Sequence, residues 1–185
     1  MTRWFENIVL DEVFELGTHI FTEDEIIAFA TAYDPQYFHV DPALAAQSHF
    51  GGIVASGWHT AAVGHRKMVD ALDAEEARLR AMGETPGVSG PSPGGSRIAF
   101  DNPVRPGDTV AYTLTVYDKR LSNSLPGWGL LFNRLIGINQ RGEQVYLSEF
   151  VGFSKLRDYR TDLKTRAMLA LRKLPLIGTW LKRLT

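Results

Sequence analysis

Gly52-Ile53-Val54-Ala55-Ser56-Gly57-Trp58-His59-Thr60-Ala61-Ala62-Val63-Gly64 opens a run that reaches Met82 without a proline. Gly51-Gly52 breaks the chain before it, and a segment crowded with Gly and Pro (residues 83–96) follows it. The spacing therefore predicts one long helix over residues 53–82. Its first half is apolar and rich in small residues (Ala55, Gly57, Ala61, Ala62, Val63, Gly64), whereas its second half carries Asp73, Glu75, Glu76, Arg78 and Arg80. A helix enclosed by protein early and solvated late has this pattern. Beyond the breaker-rich loop the hydrophobic period changes to two. Val110, Tyr112, Leu114 and Val116 alternate with Ala111, Thr113, Thr115 and Tyr117 after the turn Arg105-Pro106-Gly107-Asp108. Runs at 128–139 and 144–155 flank a hairpin signal, Gln140-Arg141-Gly142-Glu143, and residues 97–100 and 8–15 supply further candidate strands. One long helix facing antiparallel strands defines an α+β domain.

Ahead of the long helix, Thr22-Glu23-Asp24-Glu25 is a capping box, so a helix is expected over residues 23–32. Pro35 disfavours helical geometry at Asp34 and ends it. Asp41-Pro42 reads as N-cap and first position of a short helix through Gln47. The intervening residues 34–40 are expected as a tight loop.

The chain has 185 residues, 44% hydrophobic and 22% charged. That length fits one domain with an appendage, and a compact chain of this size buries roughly 70% of its unfolded surface. Cysteine is absent, which excludes a disulfide scaffold, a Cys-ligated metal centre and a thiol nucleophile. The net charge of −1 argues against a general nucleic-acid binder, but it hides an asymmetry. Residues 156–185 hold eight Lys/Arg against two Asp/Glu, while residues 1–155 hold twelve against nineteen. An acidic body is joined to a basic tail. The opening Met1-Thr2-Arg3-Trp4-Phe5-Glu6 leads only to the short apolar run Ile8-Val9-Leu10. No secretory signal is read there, and no stretch approaches the ~18 uncharged apolar residues of a membrane helix. A soluble, cytoplasmic body is the expectation.

Asp34 and His39 lie five residues apart, close enough to meet on one water. A carboxylate and an imidazole on one water form a general acid–base pair, able to add OH and H across a double bond. The plainer reading is turn chemistry, with Asp before Pro capping a helix end. Similarly, the small residues around Ser56-Gly57 let a ligand approach free backbone N–H groups, or simply let a buried helix pack closely. Ser56 is outside any G-x-S-x-G elbow, and neither a Walker A nor a Rossmann glycine pattern occurs. His19, His49, His59 and His65 show no metal spacing, and Trp4, Phe29, Tyr33, Phe38 and Phe50 read as core aromatics.

Taken in order, three blocks resemble the MaoC-like dehydratases, the (R)-specific enoyl-CoA hydratase group of the hot-dog superfamily. The family's motif, roughly G-D-x-N-P-x-H, is similar to Tyr33-Asp34-Pro35-Gln36-Tyr37-Phe38-His39, with the Asp-to-His spacing kept. The family's entry into its central helix is similar to Ile53-Val54-Ala55-Ser56-Gly57-Trp58, and its P-V-x-x-G-D strand entry to Pro103-Val104-Arg105-Pro106-Gly107-Asp108. Here Tyr33 stands where Gly commonly precedes the Asp, Gln36 stands for Asn, and Pro35 directly follows the Asp. The resemblance spans about residues 8–155. It implies a hot-dog fold, a long central helix wrapped by a curved antiparallel sheet, over residues 1–155, with residues 156–185 as a basic helical extension.

The resemblance further implies reversible hydration of a trans-2-enoyl-CoA to a (3R)-3-hydroxyacyl-CoA. Asp34 and His39 would hold the water as the catalytic pair and the Gly57 N–H would bind the thioester oxygen. Gln36, Tyr37, Ser56 and Trp58 would contact substrate. Coenzyme A enters as substrate carrier, and neither a metal nor a redox cofactor is required. A homodimer joined edge to edge is implied. Two rivals share these residues: a hot-dog thioesterase, and a non-catalytic module binding acyl thioesters or lipid. In the tail, Leu163, Ala167, Ala170, Leu171 and Leu174 fall at helical spacing among Lys164, Arg166, Arg172 and Lys173. Such a helix can lie on an anionic membrane surface; packing on its own acidic body or on a partner subunit is the preferred reading.

Overall fold

A computed structural model describes residues 3–159, so the expected C-terminal helix lies outside the described residues. The chain runs through β1 (Val13–Ile20), α1 (Glu23–Tyr33), the single turn α2 (Tyr37–Val40), α3 (Pro42–Ala46) and α4 (Gly57–Ala81). It then forms β2 (Gly94–Ala99), β3 (Thr109–Leu121), β4 (Trp128–Asn139) and β5 (Gln144–Lys155). The five strands make one antiparallel sheet in the order β1-β3-β4-β5-β2.

The period-two reading places the core correctly. Val110, Tyr112, Leu114 and Val116 are fully buried, while their alternating neighbours on β3 are half-buried. Tyr112 and Leu114 meet Leu135 from β4 and Val145 and Tyr146 from β5, and α4 closes this core with Met68. Along α4 the fully buried residues, His59, Thr60, Gly64 and Met68, all lie in the first half, as its composition requires. A Cβ added at Gly64 would stand 2.8 Å from the Tyr112 ring, so the helix backbone rests directly on that ring. The Tyr112 hydroxyl donates to the Thr60 carbonyl at 3.0 Å, fixing the helix along its axis. A register irregularity opposite Gly137/Ile138 leaves Val145 unpaired on β5. Such a bulge bends its strand and re-aims side chains, and consecutive Val145 and Tyr146 both turn into the core.

Several boundaries differ from the sequence reading. The long helix begins at Gly57 rather than at residue 53. Ser56 is its N-cap and accepts from the Trp58 N–H at 3.2 Å. Residues 53–55 are extended, with the Ala55 N–H donating to Val104 O. The first strand covers Val13–Ile20 rather than residues 8–15. Asp11 adopts a positive φ of 60°, which turns the chain. The segment before it is a 3-10 turn (Phe5–Asn7) whose Phe5, with Ile8, is buried near Val116 and Leu131. Only Leu16 of β1 is fully buried, so an edge strand without clear alternation hid from the period count. β2 extends back to Gly94, into the segment expected as loop. Among the described residues no helix is long and apolar enough to cross a membrane.

The turn before β3 is held by Asp108, buried at its base. Its carboxylate accepts from the Arg105 N–H, the Gln140 amide and both ends of the Arg141 guanidinium. Burial pushes this carboxyl up, and those donors more than reverse the effect, bringing it from 3.8 to about 2. Because the folded value is depressed, the stabilisation is present above the ordinary carboxylate range and lost as pH falls towards 2. Asp108→Asn is therefore expected to cost on the order of 2 kcal/mol in urea unfolding at neutral pH. Near pH 2 that difference from the unsubstituted protein should disappear.

Candidate active site

α1 delivers the carboxylate. Its last turn ends on Asp34, whose N–H still donates to Ala30 O at 2.8 Å while its side chain turns out of the helix. The stretch expected as a tight loop is largely helical: after Pro35, Gln36 caps the turn Tyr37–Val40, and this turn carries His39. His39 Nε2 stands 3.5 Å from Asp34 Oδ2. The sequence-predicted pair is thus brought together, with His39 buried and Asp34 half-buried at the mouth.

The imidazole is oriented from behind. His39 Nδ1 lies 2.7 Å from the Val54 carbonyl. A carbonyl only accepts, so Nδ1 carries the proton, and in the neutral ring Nε2 presents its lone pair to Asp34. In that neutral form the two groups are both acceptors, an arrangement satisfied by a donor lying beside the pair within reach of each. Asp34 is held equally firmly. Ser56 Oγ donates to its Oδ2 at 2.6 Å and Gln36 Nε2 to its Oδ1 at 2.9 Å. The Ser56 bond foremost, then the Gln36 amide and His39, keep the Asp34 carboxyl below its ordinary value, while burial pushes the other way.

Ser56 is fully buried, so its place is behind the carboxylate rather than against a ligand. One hydroxyl caps α4 and positions Asp34 at once. Gly57 follows at the first helical position, where its N–H has no intrahelical acceptor. Its missing side chain admits a different neighbour from the one anticipated: a Cβ there would lie 2.6 Å from the Phe100 ring. Trp58 and Tyr37 are exposed at the rim; Trp58 meets Phe100 edge-on at 5.9 Å, and Tyr37 meets Phe38 at 5.0 Å. Gln36 is exposed beside them.

A cavity of about 250 Å³ lies on the His39 side of the pair, with His39, Gly57, Phe38, Phe50 and Phe100 in its wall; Asp34, Gln36, Tyr37, Ser56 and Trp58 are not part of that wall. Phe38 packs against the core as read from sequence and also faces this cavity, Phe50 stands in its wall, and Tyr33 is 75% exposed. Phe29 does pack internally, stacked on the buried His59 at 4.5 Å. Sequence reasoning missed Phe100 and the Val54 carbonyl. Neither carries a local signal, because both act only through residues distant in the chain.

A long helix clasped by a five-stranded antiparallel sheet, with an acid–imidazole pair near the helix start, defines a hot-dog protein of the dehydratase type in architecture. Residues 9–125 match the family described as MaoC like domain, and the chain belongs to that family. It is 34% identical over 65 residues to the protein YdeM of Bacillus subtilis. That match takes in 35% of this chain and under half, 46%, of the curated relative's length. The MaoC-like dehydratase from Rhodospirillum rubrum superposes with a TM-score of 0.64 at 28% identity, covering 84% of this chain and 99% of that one. R-hydratase PhaJ1 from Pseudomonas aeruginosa shares the fold, with a TM-score of 0.54 at 19% identity over 86% and 92% of the two chains.

The Ser56 bridge yields a direct test. Ser56→Ala removes both the helix cap and the donor to Asp34. Carboxyl-carbon NMR titration should show the Asp34 value rising towards that of an ordinary aspartate, and the protein should lose about 1 kcal/mol of stability.

Proposed function

We propose that the protein is a hydro-lyase that reversibly hydrates a trans-2-enoyl thioester to the (3R)-3-hydroxyacyl thioester, with coenzyme A as the carrier. The observation that carries this reading is the pair of facing acceptors, His39 Nε2 and Asp34 Oδ2, 3.5 Å apart beside the cavity. With the imidazole neutral, a water on the cavity side of the pair, at hydrogen-bond distance from both, directs its O–H bonds at the two acceptors and keeps a lone pair for carbon. As that oxygen bonds to C3, its proton passes to the His39 lone pair, with ionised Asp34 beside the resulting imidazolium. The π electrons move onto C2 and the thioester oxygen, and return of the proton from the pair to C2 completes the addition of one water.

The Gly57 N–H, at the positive end of α4, binds the thioester oxygen as enolate charge develops. A preorganised donor of this kind contributes about 10²–10³ in rate. Gln36 and Ser56 act on the substrate through Asp34, whereas Tyr37 and Trp58 line its approach. The same reading makes the protein a homodimer. Among the described residues the outer edge of β2 is unpaired and residues 94–98 are exposed, and a second copy aligned there satisfies a strand edge that otherwise invites aggregation.

Crotonyl-CoA tests the reaction. The enoyl absorbance should fall with no free thiol released, and Asp34→Asn or His39→Ala should each lower kcat/KM by about 10²–10⁴. Thiol release with the double bond intact would identify a thioesterase. Binding of enoyl-CoAs with no turnover of any of them would identify a binding module. Either result would overturn the proposal.

A further inference from the structure

Two cavities stand on either side of one pair of rings. Phe100 lies in the wall of the site cavity, about 250 Å³. Tyr146 lies in the wall of a second cavity of about 460 Å³. The two rings stack with centroids 5.9 Å apart and planes 20° from parallel. The second cavity follows α4 beneath the sheet, walled by Met68, Leu72, Leu131, Leu135 and Phe150. The proposed hydration chemistry makes no use of it.

The two rings are held very differently. Tyr146 is buried in the core, edge-on to Tyr112 at 6.5 Å, and the bulge at Val145 sets its direction. Phe100 sits just beyond the exposed end of β2 and is 39% exposed, resting on Gly57 and on Tyr146. It is the replaceable half of the partition.

We propose that Phe100 determines acyl-chain length. The inference rests on the hydratase reading and adds the substrate class: short 2-enoyl thioesters. The site cavity is the smaller of the two, about 250 Å³, and the thioester, the double bond and the attacking water share it, so it takes a short chain that ends against the Phe100 ring. Removal of the Phe100 ring opens the space it fills, as far as Tyr146, to the tail of a longer chain.

The test compares crotonyl-CoA with trans-2-decenoyl-CoA in the unsubstituted protein, Phe100→Ala and Phe100→Leu. The unsubstituted protein should favour crotonyl-CoA by at least about tenfold in kcat/KM. Phe100→Ala should move the ratio towards decenoyl-CoA by about tenfold or more, the gain expected from burying only two methylenes. Phe100→Leu, which keeps an apolar side chain at the site, should shift it less, and it supplies the reading should the alanine variant fail to fold. A ratio near one in the unsubstituted protein, or an unchanged ratio in folded variants, would overturn the proposal. Calorimetric titration with butyryl-CoA and decanoyl-CoA separates the two readings. If no enoyl thioester is hydrated, the reaction proposal fails, yet a selective gain of decanoyl-CoA affinity in Phe100→Ala still establishes the partition. Equal chain-length dependence in all three proteins would remove it.

Discussion

Helix α4 can lie inside the sheet because position 64 has no side chain. With Gly64 resting on the Tyr112 ring and the Tyr112 hydroxyl bonded to Thr60 O, the helix has one depth and one axial position. Protein interiors are packed to near-crystalline density, so a contact of this kind propagates rather than being absorbed locally. It fixes where the first turn of α4 emerges, and the site is built on that turn. Ser56, Gly57 and Trp58 are consecutive there: Ser56 bonds the Asp34 carboxylate, Gly57 lies against the Phe100 ring and Trp58 is exposed beside that ring.

Polar groups at the site are arranged so that one demand stays open. Ser56 and Gln36 supply donors to both Asp34 oxygens, and Val54 supplies an acceptor to His39 Nδ1. What remains is a lone pair on Nε2 facing a carboxylate oxygen, and polar groups removed from bulk water are costly to leave unmatched. The depressed Asp34 value follows from the same bonds, which favour the charged form over the neutral one.

Aromatic rings then give the cavity its shape. Phe38 and Phe50 stand on one side and Phe100 on the other, with Tyr146 behind it. α1, α2 and the start of α4 hold the Asp34/His39 pair, and Phe100, just past the end of β2, supplies the opposite wall.

The plan of the fold and the closeness of Asp34 to His39 are legible in the amino-acid order alone. Period-two alternation over residues 110–116, the capping box at Thr22 and the small-residue run into α4 are local patterns, and local patterns fix elements. The interval from Asp34 to His39 was equally legible, since five residues cannot separate two side chains widely. Three features were decided only by the tertiary structure. Asp34 and Ser56 are 22 residues apart, Gly57 and Phe100 are 43 apart, and Phe100 and Tyr146 are 46 apart. No propensity or spacing relates such positions; they meet because the helix start, the end of β2 and the bulge in β5 converge on one volume. The edge strand β1 was placed several residues early, over 8–15, for a related reason: with only Leu16 fully buried, partners on β3 rather than its own pattern set its bounds.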